Sequence, residues 1–120
     1  MMRTLAIKTA LCAGLALLGL SGCKSTGPQY YYGEYNTAVY SYFKADKLTL
    51  EEQISILQKV VEQAAAKGKP VAPGVHAHLG MLYFETGNTA QGNQHFIQEK
   101  TLFPESARYI DFLMNQGKDA

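Results

Sequence analysis

The residues able to do chemistry in this chain are three histidines, a cysteine that closes the first apolar run, and a scatter of carboxylates. His76 and His78 are two apart, which on a helix turns their rings about 200° from each other, so they cannot share an ion there. His95 and Glu99 are four apart and can lie on one helix face. Two ligands do not close a site, because structural zinc takes four. The histidines therefore read as helix-packing or surface residues, with no metal and no cofactor. Glu51 and Glu52 are adjacent and diverge on a helix, which suits a solvated face rather than an acid–base pair. The chain has no Gly-x-Ser-x-Gly elbow and no glycine loop to cradle a phosphate. No catalytic residue and no small-molecule substrate are expected.

The cysteine belongs to a different chemistry. Arg3 and Lys8 precede an apolar run from Thr9 to Leu20. That run has the length of a signal-peptide core and is shorter than the roughly 20 residues of a membrane-spanning helix. It ends in Leu20-Ser21-Gly22-Cys23. This order resembles the lipobox of bacterial lipoproteins, whose signal peptidase cuts before a cysteine that has taken up a diacylglycerol. By that resemblance Leu20, Ser21 and Gly22 are the recognition residues, Cys23 is the lipidated one, and residues 1–22 are a removed signal peptide.

The mature chain would keep 98 residues, nine of them basic and ten acidic, for a formal charge of −1. Cys12 leaves with the signal, so no disulfide is expected. One acyl chain holds a membrane only marginally, at about 0.8 kcal/mol per buried methylene. The resemblance implies three chains, palmitate among them, and a lasting anchor. Lys24 follows the cysteine where Asp would favour retention in the inner membrane. By the same resemblance the chain goes to the outer membrane, with its domain facing the periplasm. A near-neutral charge gives no electrostatic case for nucleic acid or anionic headgroups.

The elements that follow read as helices. Residues 23–34 form a tether that ends in the aromatic cluster Tyr30, Tyr31, Tyr32 and Tyr35. Exposed aromatic clusters mark contacts, so these four are a candidate interaction surface, with packing as the alternative. Tyr35, Val39, Tyr42 and Phe43 recur at helical spacing and predict a helix over 35–45 that closes one end of the core. Thr49 and Glu52 form a capping box for a helix over 50–67, with an apolar stripe of Leu50, Ile54, Leu57 and Val61 and Gly68 as its C′ residue.

Pro73 suits the first turn of a third helix, whose inner face carries Val75, Leu79, Leu82 and Tyr83. Gly87-Asn88 signals a turn, and Thr89 is placed to cap a fourth helix bearing Ala90, Phe96, Ile97 and Leu102. That helix halts before Pro104, and a last one starts near Glu105 with Tyr109, Ile110, Leu113 and Met114. Residues 117–120 read as a frayed tail. The expected fold is all-α, about five helices over residues 35–116.

Leu79-Gly80, Tyr83, Phe96 and Pro104 stand at the spacing of a tetratricopeptide repeat, and this stretch resembles one such helical hairpin. Gly80 would let the two helices approach, with Tyr83 and Phe96 filling the space between them. Two positions depart: His76 replaces a Trp and Gly92 replaces an Ala. A glycine there costs the helix about 1 kcal/mol. Leu113 lies one repeat length beyond Leu79, so the last helix reads as the first half of a truncated repeat.

The Tyr-rich opening, the Glu51-Glu52-Gln53 helix and the run from His78-Leu79-Gly80 to Phe103-Pro104-Glu105-Ser106 are similar to a family of small bacterial lipoproteins known only as a domain of unknown function. Its members are often encoded beside a lipoprotein like the curli secretion channel. The resemblance implies an envelope component that adapts one protein to another, with neighbouring envelope lipoproteins as partners. The alternative is a glycan-binding module, for peptidoglycan, built on the tyrosine cluster.

Overall fold

The computed structural model describes Gly22 and residues 27–44 and 48–116. The signal peptide up to Ser21, Cys23, Ala45 and the tail at 117–120 lie outside the described residues, and with them the lipobox residues Leu20, Ser21 and Cys23. Five α-helices follow in order: α1 (Tyr35–Lys44), α2 (Leu50–Ala66), α3 (Val75–Glu85), α4 (Thr89–Leu102) and α5 (Ala107–Gln116). A 3-10 turn over Pro104–Ser106 joins the last two. Among the described residues there is no strand, only an isolated parallel bridge between Tyr31 and Val71. The architecture is all-α.

α2 begins where the capping box predicts. The Glu52 N–H donates to the Thr49 hydroxyl at 3.2 Å, and the Thr49 N–H donates to the Glu52 carboxylate at 2.8 Å. Its end is set by Gly68, which takes φ +61°, a left-handed conformation that glycine adopts without a side-chain clash.

α3 is the central helix, since eight of its eleven residues are buried. A helix apolar all round needs neighbours on every side. Val75, Leu79, Leu82 and Tyr83 pack with Ile54, Leu57, Val60 and Ala64 of α2 and Ala38 of α1. Its other side, through Ala77, Met81 and Phe84, meets Phe96 of α4 and Ile110, Leu113 and Met114 of α5. Two core clusters thus share one helix.

α3 and α4 form an antiparallel hairpin. Glu99 near the end of α4 meets Gly74 and Ala77 at the start of α3, while Gly92 meets Phe84 near its end. The turn closes through the Asn88 N–H to the Tyr83 carbonyl at 2.7 Å, with Gly87 at φ +87°.

Several expectations need correction. Pro73 precedes α3 rather than entering its first turn, because Gly74 holds the N-cap. Thr89 does not cap α4: it is the first helical residue, and Asn88 sits at the N-cap without a side-chain cap bond. Pro104 is exposed at the start of the 3-10 turn, so it stops α4 without joining the repeat core. Phe103 beside it is the buried residue. Phe43 is 76% exposed and closes no core end. Helical spacing places it on a flank of α1 left uncovered by the described residues, whereas Tyr35 and Tyr42 stay half-buried. Ile97 and Leu102 are likewise exposed on α4, as are Tyr109 and Phe112 on α5.

Candidate functional site

The described residues place functional-looking side chains in three groups: the aromatic entry, a buried polar layer in the hairpin, and an apolar groove beside α5.

The aromatic entry is largely consumed by packing. Tyr31 is pinned by two backbone bonds, its N–H to the Pro70 carbonyl and its carbonyl from the Ala72 N–H. Its hydroxyl donates to Gln63 Oε1 at 2.6 Å, and Lys67 Nζ lies 5.1 Å from its ring centre. Tyr30 stands edge-on to Phe103 at 5.7 Å. Tyr35 covers Gly74, whose missing Cβ would come within 2.4 Å of the Tyr35 hydroxyl. Burial raises the Tyr35 pKa, with Glu99, Tyr32 and Tyr109 adding to it. Tyr32 is the member left open, 42% exposed.

The polar layer escaped the sequence reading because its pairs cross between helices. His95 and Glu99 share a face of α4 yet turn to different partners. Glu99, 2% exposed, accepts from the Gly74 N–H at 2.7 Å and the Ala77 N–H at 3.2 Å. It serves as the side-chain cap that Gly74 cannot supply. Burial nevertheless raises its pKa against those bonds. The only available signal was a Gly N-cap preceding a helix with no acidic residue in its first turn.

His95 meets His76 through their Nδ1 atoms at 2.9 Å, with the rings nearly parallel. The Tyr83 ring stacks on His95 at 5.4 Å, and its hydroxyl accepts from Gln58 at 2.5 Å. Burial, then His95, pushes the His76 pKa down to about 4, and burial also lowers that of His95. Both rings are therefore neutral at pH 7, one donating Nδ1–H to the other's lone pair. His78 faces away, edge-on to Tyr42 at 5.0 Å, with a buried Nε2 that has no hydrogen-bond partner among the described residues. Tyr42 donates to Glu85, and that bond is the main reason its pKa is pushed up to about 12.

Among the described residues, no group of three or more His, Cys, Asp or Glu gathers to hold a metal. The polar layer joins helices instead. Its histidines give a test with a definite sign. The unfolded chain takes up their protons near pH 6.5, but folded His76 does so only near pH 4. The stability they contribute is present above about pH 6.5 and is lost as the pH falls toward 4. Allowing for solvent screening, the loss by pH 5 should be ~1–2 kcal/mol, or roughly 4–8 °C in melting temperature. Glu99 works in the opposite sense, since its raised pKa favours folding at lower pH. The double substitution His76→Gln with His95→Gln isolates the histidine part. Thermal melts at pH 7.5 and 5 should differ more for the wild type than for the variant, in which burial still lowers the pKa of His78; a wild-type loss that persists undiminished in the variant would assign it to other groups.

The third group is an open groove of about 430 Å³ between α3, the start of α4 and the end of α5. Its floor is Met81, Phe84, Phe96 and Leu113, and its rim carries Glu85, Thr89 and Gln116. A smaller hollow of about 230 Å³ lies across the molecule along α2, between Glu34, Lys59 and Gln63. That hollow is the more enclosed of the two and its lining is about evenly polar and apolar, whereas the more open α5 groove has the mainly apolar lining of a binding cleft.

Residues 29–113, more than half of the chain, match the model of a family described as Domain of unknown function (DUF4810). No curated protein and no solved structure matches.

Proposed function

This chain belongs to the DUF4810 family of unknown function, and from that premise we propose that it is a lipid-anchored adaptor of the bacterial envelope. Cys23 carries the lipid, the outer membrane holds it, and the helical domain faces the periplasm. There it docks another component of an assembly or secretion complex, with a curli-secretion-channel-like lipoprotein as the first partner to try.

The observation that carries the docking half is the apolar α5 groove, next to aromatic side chains left uncovered on α5. Apolar surface open to water on so small a domain favours a contact that covers it. His76 and His95 bond to each other and Glu99 bonds to the start of α3, which favours a structural over a catalytic role for them. The anchoring half rests on the order Leu20-Ser21-Gly22-Cys23 behind an apolar run.

Cys23→Ser should move the protein from the membrane fraction to the soluble one, and mass spectrometry of the wild type should find Cys23 acylated. An unmodified Cys23 in membrane-extracted protein would refute the anchor. Co-purification with the neighbouring lipoproteins, compared between wild type and Cys23→Ser, tests the adaptor role.

A further inference from the structure

We propose that the groove beside α5 holds an amphipathic helical segment of a partner protein, one with lysine or arginine flanking its apolar stripe. This rests on the adaptor reading and names what the adaptor grips. A volume of about 430 Å³ over Met81, Phe84, Phe96 and Leu113 accommodates a few apolar side chains from one face of a short helix. Helix-in-groove recognition supplies such anchors at i, i+3, i+4 and i+7.

Among the described lining residues the charge has one sign. Glu85 is the sole ionisable residue of the lining. α3 ends at Glu85 and α5 at Gln116, both on the rim, and neither helix has a basic residue in its last turn. Their carbonyl ends therefore carry partial negative charge that no basic side chain of those turns offsets. Tyr109 and Phe112 are exposed on the same helix as the lining residues Leu113 and Gln116, though outside the lining itself, and are rings of a kind that attracts a cation. An apolar floor inside a negative rim selects an apolar, cationic partner segment. The same rim repels anionic lipid headgroups, and the floor lacks the hydrogen-bonding groups a glycan needs.

The test uses the full-length protein in detergent and two fluorescein-labelled 14-residue helical peptides, one Leu/Lys and one Leu/Glu. The Leu/Lys peptide should bind at least about tenfold tighter. Glu85→Lys should weaken it about tenfold. Because this also removes the acceptor of the Tyr42 hydroxyl, Tyr42→Phe, which loses the same bond but keeps the charge, is its control and should leave peptide binding unchanged. Met81→Lys should weaken both peptides. Equal binding of the two peptides, or binding indifferent to Glu85→Lys, overturns the proposal. In cells, a photo-crosslinking residue at Phe112 should trap a partner segment rich in Lys or Arg beside an apolar stripe. Trapping of lipid, of a second copy or of an acidic segment overturns the groove assignment. Crosslinks from Phe43 but not from Phe112 would do the same while leaving the adaptor reading intact, whereas no protein crosslink from either position would remove both.

Discussion

Gly92→Ala should destabilise the protein by about 2–3 kcal/mol, although alanine is the better helix former by about 1 kcal/mol. A Cβ at Gly92 would lie 2.4 Å from Phe84 Cδ2 and 3.0 Å from the Gly80 carbonyl oxygen. From the other side, a Cβ at Gly80 would meet Phe96 Cδ1 at 2.5 Å and the Gly92 carbonyl at 3.1 Å. Two glycines therefore face each other where α3 crosses α4, and the aromatic rings of Phe84 and Phe96 stack at 5.3 Å around the crossing. Neither ring is a flexible end that swings away, so the hairpin must open. Urea titration measures the loss. Exposed Gln91→Ala on the same helix should shift stability by less than ~0.5 kcal/mol. If the clash with Phe84 is the cause, adding Phe84→Leu should return part of the lost stability. A Gly92→Ala protein as stable as the wild type would show that the helices do not approach this closely.

Glu99→Ala should cost ~2–4 kcal/mol, because it strips the acceptor from the Gly74 and Ala77 N–H groups at a buried helix start. Glu99→Gln keeps one accepting oxygen and should lose less. The two variants also separate charge from bonding. Burial raises the carboxyl pKa of Glu99, so the wild type should lose some stability as pH rises through that value, and Glu99→Gln should not. Chemical denaturation across pH 4–8 resolves both effects. Equal stability of Glu99→Ala and the wild type would mean that water caps α3 as well as the carboxylate does.

Helix existence was legible in the sequence, because it depends on periodicity and on local bonds. The Thr49–Glu52 box and the left-handed Gly68 are within one turn of their partners, and both are where the sequence places them. The spacing of Leu79, Gly80, Tyr83 and Phe96 likewise anticipated a close, buried hairpin.

What the sequence hid is what depends on the neighbouring helix. Gly92 reads as a propensity cost when α4 is taken alone and as a requirement once Phe84 lies across it. By spacing Glu99 could share a metal ion with His95, yet the start of α3 offers it two N–H donors. Phe43 fits the helical period of α1 as well as Tyr42 does, but only Tyr42 has a partner, Glu85, to turn toward. The tyrosine cluster was ambiguous for the same reason. Three of its rings found Gln63, Phe103 and Gly74, residues more than 30 positions away. Periodicity carries no information about such partners.

The pinning of Tyr31 to the α2–α3 connection has a mechanical side. Tyr31 lies eight positions beyond Cys23, a span of at most ~29 Å when fully extended. If residue 23 is held at a membrane, this length of chain keeps Tyr31 within about one bilayer thickness of the surface. A pull along the leash meets the Tyr31 bonds to Pro70 and Ala72 before it reaches α1. Load would thus pass into the connection between α2 and α3, next to the central helix, and α1 would be spared from being peeled off its end.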